Sequence, residues 1–171
     1  MSSLAAALGL RTSDQQPTAP PSLSASYIIW QFLFAYGILS SRAWKQYYRF
    51  DHNVNPREDV AKYGQKAVEA GKLSQKQLNQ IKRVESAHAN SVEHFPLFVG
   101  ALIWAHVAGL PIVSINRCGL VYVLARIAYG AVYIFVDTPR LSHLRGIAWW
   151  ISNVACLRLF WLGGKAINGT I

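Results

Sequence analysis

The stretch that decides the fold reads Arg83-Val84-Glu85-Ser86-Ala87-His88-Ala89-Asn90-Ser91-Val92-Glu93-His94-Phe95-Pro96. Charged and polar side chains crowd it, yet it opens onto the longest uncharged apolar run of the chain: residues 95–116 contain no Asp, Glu, Lys or Arg. At about 100° per residue, Asn90 falls roughly 20° around a helix from Arg83 and Glu93 about 80°, with Ser86 between Asn90 and Glu93. Arg83, Asn90 and Glu93 thus share one face, at the mouth of a helix that enters apolar surroundings. Polar groups at such a depth need partners and are usually functional.

Upstream of this stretch, Ser74 followed three residues later by Gln77 has the form of a capping box. The pattern predicts one helix from there through Arg83 and into the apolar run, bent at Pro96, which cannot donate to the carbonyl four residues back. Asn55-Pro56 breaks the chain before that, and Arg57-Glu58-Asp59 suits the start of a short helix ended near Gly71.

Downstream and upstream, further apolar runs fix the class. A span needs about 20 apolar residues. Four runs qualify, at residues 22–41, 95–115, 118–136 and 147–166. With the polar helix mouth and flanking residues included, the expected spans are 22–41, 91–110, 116–136 and 145–166. A chain that is 52% hydrophobic and 15% charged, with uncharged runs of this length, excludes an ordinary soluble bundle. The expectation is an all-α, multi-pass integral membrane protein: a four-transmembrane-helix bundle over residues 22–171, behind a flexible, proline-containing tail at 1–21.

The net charge of +9 invites a nucleic-acid reading, but its placement argues for topology. Ten of the Lys and Arg residues lie between positions 41 and 84, and Arg140 and Arg145 lie in the third connection. Arg11, Arg117 and Lys165 stand on the other side. The bias puts both long loops in the cytosol and both termini away from it, and no nucleic-acid partner is expected. Cys118 and Cys156 give no disulfide framework and no metal-ligand spacing, so no metal is expected.

Several residues inside the spans need partners. His106 reads as an interhelical hydrogen-bond partner. Arg126, Tyr129 and Tyr133 share a face by their spacing of three and seven. Arg126 in mid-span must meet an acid, the bundle interior or a polar cavity, and Glu93 or Glu85 is the expected counter-charge. Arg42 at the rim of the first span reads equally as a headgroup anchor or a ligand contact.

The motif Arg83-x-x-x-Ala87-His88-x-Asn90-x-x-Glu93-x-Phe95-Pro96-Leu97-Phe98 resembles the signature of the membrane-associated proteins in eicosanoid and glutathione metabolism, the MAPEG family. Cys118-Gly119-Leu120-Val121-Tyr122 followed by Ala125-Arg126-x-x-Tyr129-x-x-x-Tyr133 is similar to that family's third span. The resemblance implies a homotrimer in the endoplasmic reticulum, with glutathione bound as co-substrate between neighbouring subunits and a lipophilic small molecule entering from membrane lipid. It implies glutathione contacts from Arg42, Arg83, Asn90, Glu93, Arg126, Tyr129 and Tyr133. It further implies a catalytic arginine at the start of the fourth span: Arg145, which directly precedes that span, or alternatively Arg140, whose distance from Tyr133 matches one branch of the family. The implied activity is glutathione transfer, or peroxidase chemistry with glutathione. Non-catalytic members that present a lipid to a partner enzyme are the alternative. Three departures bear on the choice. Ser86 stands where eicosanoid-forming members carry a second arginine, His94 stands where one branch has tyrosine, and Gly146 follows Arg145 where another has serine.

Overall fold

The computed structural model describes residues 4–7, 9–10 and 20–170. The flexible tail expected at 1–21 therefore lies largely outside the described residues. Every element among the described residues is helical: α1 (Leu4–Ala7), α2 (Ser24–Phe32) running into a π-helical segment (Leu33–Ile38), α3 (Arg42–Tyr47), α4 (Asp59–Glu69), α5 (Gln75–Val107), α6 (Ile112–Phe135) and α7 (Pro139–Ile167).

The long α5 forms as its cap dictates. Ser74 Oγ accepts from Gln77 N at 3.3 Å while Gln77 Oε1 accepts from Ser74 N at 2.7 Å. Two orphan donors are satisfied reciprocally, and the helix runs on through Pro96 without a break. It ends at Gly109, whose φ of +69° only glycine adopts at no cost, and the chain reverses into α6. Pro139 opens α7 at a position where its missing N–H is not needed.

The apolar core lies between α5, α6 and α7, where Phe98, Leu102, Ile115, Tyr122, Cys156 and Leu159 are buried together. The α2 layer closes onto α6 by ring-on-glycine contacts. A Cβ on Gly119 would stand 2.5 Å from Tyr27 Cδ2, and one on Gly130 would stand 3.1 Å from Phe34 Cζ. His106 makes the interhelical bond expected of it, with its Nε2 2.8 Å from Ser24 Oγ on α2. A separate cluster of Phe50, Val60, Ala67, Leu73, Leu78 and Ile81 seats α4 against the first turns of α5.

The first apolar run departs from a plain helix. Over Leu33–Ile38 the ladder widens, and Leu39 N reaches back five residues to Phe34 O at 3.0 Å. Such a bulge frees a carbonyl from regular pairing. Ala35 O uses that freedom to accept from His88 Nδ1 at 2.7 Å.

Among the described residues α6 is the one helix long and apolar enough to cross a membrane by length and composition. The outward face of the bundle is nonetheless apolar on every long element. Ile29 and Leu33, Ile103, Val121 and Leu124, and Ile147, Val154 and Trp161 are all exposed. Surface of this kind needs a cover of lipid or protein.

Candidate functional site

The structure sorts the sequence candidates into two groups on different sides of α5. The first lies between α5, α6 and the start of α7. Arg126 is fully buried, and its Nη2 donates to Asn90 Oδ1 at 3.0 Å and to Ser91 Oγ at 2.8 Å. Its guanidinium carbon stands 4.3 Å from the centre of the Tyr129 ring. Tyr129 meets Tyr133 edge-on, with ring centres 5.5 Å apart. The Arg145 guanidinium in turn covers the Tyr133 ring at 4.2 Å. The result is a ladder of cation, two rings and cation, climbing from the interior to a half-buried position at the end of the bundle. Helical spacing on α6 aligns the first three members, and the short connection to Pro139 brings Arg145 over the third.

The expected ion pair of Arg126 with Glu93 or Glu85 is not formed. Glu85 instead meets Lys45 at 3.3 Å and accepts from Ser41 Oγ at 3.1 Å. Glu93 is exposed. Arg126 is held by neutral acceptors, and its Nε and Nη1 have no partner among the described residues. The bond to Asn90 also fixes that amide. Its oxygen is committed to Arg126, so its two N–H donors are the atoms offered elsewhere.

The second group lines a cavity of about 460 Å³ between the end of the first span, the loop and α5. Arg42, Lys45, Arg57, Glu85, His88 and Glu93 border it. Arg42 donates to Asn53 Oδ1 and stands 3.8 Å from Asp51. Lys45 is buried, and its ammonium also donates to Pro56 O at 2.5 Å, which ties α3 to the loop. The common face expected for Arg83, Asn90 and Glu93 is therefore divided. Asn90 turns to α6, Arg83 Nε donates to Ile134 O at 3.2 Å, and Glu93 turns to the cavity. Residues three apart differ by about 60° around a helix, enough for two neighbours to claim them separately.

Arg140 is exposed and makes no ion pair among the described residues, unlike Arg145, which is seated on Tyr133. Ser86 turns back on its own helix and donates to Lys82 O at 3.1 Å. A side chain at Gly146 would meet nothing within 4 Å. His94 is buried, 3.1 Å from Tyr122 Oη and edge-on to Trp149. Sequence reasoning passed over Ser91, Lys45 and the role of His88. Ser91 had a signal, its place beside Asn90 on the polar helix mouth; Lys45 and His88 depend on partners about forty and fifty residues away. No cluster of His, Cys, Asp or Glu able to hold a metal occurs among the described residues.

The sequence model of the MAPEG family matches residues 21–165. No curated protein matches the chain.

Proposed function

The chain belongs to the MAPEG family, a family of membrane-associated helical bundles with many glutathione transferases among its members, and from that membership we propose that it is a membrane-bound glutathione transferase acting on a lipophilic electrophile. In this reading the residues from 22 onward form four spans, and three copies assemble in the endoplasmic reticulum membrane with both termini away from the cytosol.

The observation that carries the proposal is the ladder from Arg126 through Tyr129 and Tyr133 to Arg145. Glutathione brings two carboxylates, one ammonium and a thiol. The Asn90 amide, oriented by Arg126, offers N–H donors to a carboxylate. Glu93 suits the ammonium, and Arg42 and Arg83 supply further cations. Arg145 does not precede the fourth long helix as expected: α7 already starts at Pro139, and Arg145 is held in its second turn over the Tyr133 ring, so its own guanidinium is the cation offered to an anion. A cation beside the thiol favours the thiolate, which is the nucleophile. The thiolate sulfur then bonds to the electrophilic carbon, and the leaving group departs with the electron pair of the broken bond. Each unit of thiol pKa gained is worth about 1.36 kcal/mol. The two residue groups lie on different sides of α5 within one chain, so a ligand touching both would bridge neighbouring copies. This supports a trimer with shared sites.

Ser86 and Gly146 favour a second reading, a non-catalytic scaffold that binds a lipid and presents it to a partner enzyme. The first offers a hydroxyl committed to Lys82 where a cation would hold a carboxylate, and the second offers no side chain. Two measurements separate the readings: glutathione binding to the purified protein, and conjugation of glutathione to a generic aryl halide. The transferase reading requires both.

A further inference from the structure

A further cavity shares no lining residue with the ladder or with the glutamate-lined pocket. It is an open groove of about 690 Å³ on the outer side of the α6–α7 pair. Its floor is a stripe of α7, Gly146, Ile147, Trp150, Ile151 and Val154, at the spacing of one helical face. From His143 at one end to Arg158 at the other, the helix rises roughly 22 Å. Val121 and Cys118 of α6 form the wall near the Arg158 end. A Cβ at Gly146 would meet no atom within 4 Å, so the groove stays open there.

Its charge is one-sided. Arg117 and Arg158 both line the end nearest the α5–α6 turn, and no Asp or Glu lines any part of it. Arg117 uses Nε on Leu10 O at 2.9 Å, which leaves the outer guanidinium nitrogens for another acceptor. Arg158 lies beside the Cys118 thiol. Arg117 stands about 7 Å along α6 from the start of that helix, and Arg158 about 13 Å along α7 from its end. Both are within reach of one membrane face by extending their side chains. Two arginines at one end of a wholly apolar groove match a molecule with an anionic head and a hydrocarbon chain. Half the hydrocarbon thickness of a bilayer is about 15 Å, so the chain of a lipid from one leaflet fits within the groove's length.

We propose that this groove binds an anionic lipid from the leaflet on the side of the α5–α6 turn, its headgroup on Arg117 and Arg158 and one acyl chain along the Gly146–Val154 stripe of α7. None of these residues belongs to the ladder or to the second cavity; the stripe only adjoins the ladder, where Gly146 follows Arg145.

The test uses the full chain in phosphatidylcholine vesicles carrying a trace of lipid with a photoactivatable acyl chain. One arm uses phosphatidylglycerol and the other phosphatidylcholine as the labelled lipid. The expected result is labelling of the α7 stripe several-fold stronger in the phosphatidylglycerol arm. Arg117→Gln with Arg158→Gln should bring it down to the phosphatidylcholine level, and Arg117→Lys with Arg158→Lys should retain most of the preference. Val154→Trp, which fills the groove and keeps both cations, should remove the label from the stripe. Equal labelling by the two lipids, or a preference untouched by the double glutamine variant, overturns the proposal. So does a stripe that stays unlabelled and instead crosslinks to a second copy of the chain.

Discussion

Arg126→Met is the most informative single substitution. The guanidinium is fully buried, and it holds two neutral acceptors, Asn90 at 3.0 Å and Ser91 at 2.8 Å, with no carboxylate at hand. Two opposed effects act on stability. Losing the donor leaves two partly or wholly buried acceptors unmet, at about 1–3 kcal/mol each. Removing a buried cation that lacks a counter-charge returns a desolvation penalty of several kcal/mol. The terms are of similar size, so the ligand-free variant should unfold within about 2 kcal/mol of the parent. Ligand binding has no such compensation. If Arg126 acts by turning the Asn90 amide toward a carboxylate, its loss forfeits one charge-assisted hydrogen bond of about 1.5–3 kcal/mol, or roughly ten- to a hundredfold in glutathione affinity. The assay is thermal unfolding in detergent with and without glutathione, on Arg126→Met, Asn90→Ala and the double variant. A shared route predicts that the double variant binds no worse than the weaker single one, a coupling above about 1 kcal/mol. Additive losses would refute the positioning argument, and a variant that is grossly unstable yet binds normally would make Arg126 a structural residue alone.

Four further outcomes follow from the same contacts. Native mass spectrometry across mild detergents should show a trimer, and monomer alone would count against sites shared between copies. Glu93→Gln should weaken glutathione binding and leave assembly intact; loss of the oligomer with unchanged affinity would give Glu93 a structural role. Gly119→Val drives a side chain into the Tyr27 ring, which a Cβ alone would already approach to 2.5 Å, and should cost about 1–3 kcal/mol, read as a lowered Tm. Lys45→Met strips Glu85 of its cation and unties Pro56, so limited proteolysis should cut faster between residues 51 and 74.

Much of the helical frame was legible because it is local. Ser74 and Gln77 announced the start of α5, whereas α7 starts at Pro139, six residues before the expected fourth span at 145–166, because proline suits a first helical position. The alignment of Arg126, Tyr129 and Tyr133 followed from helical spacing and appears as a continuous stack. What the sequence hid depends on distant choices between competing partners. Glu93 and Glu85 were both open to Arg126 by position, but Lys45, forty residues upstream of Glu85, claims that glutamate first. The 60° between Asn90 and Glu93 looked like one face in a helical projection and became two once α6 and the loop each took a side. The π segment was equally silent, since its widened turn is matched to His88 on another helix.

In the proposed transferase, Arg145, seated at 4.2 Å over Tyr133, stabilises the glutathione thiolate. The direct measurement is the ultraviolet difference absorbance of thiolate when glutathione is added to the protein near neutral pH. A thiol held below its usual pKa gives that signal at neutral pH and loses it as pH falls through the lowered value. A clear thiolate signal is expected in the parent protein. Arg145→Ala should lose most of it and turn over about tenfold more slowly, the equivalent of one pKa unit or 1.36 kcal/mol, while Arg140→Ala keeps both. A signal abolished by Arg140→Ala and not by Arg145→Ala moves the role to the exposed arginine, and a parent protein that forms no thiolate contradicts the transferase reading.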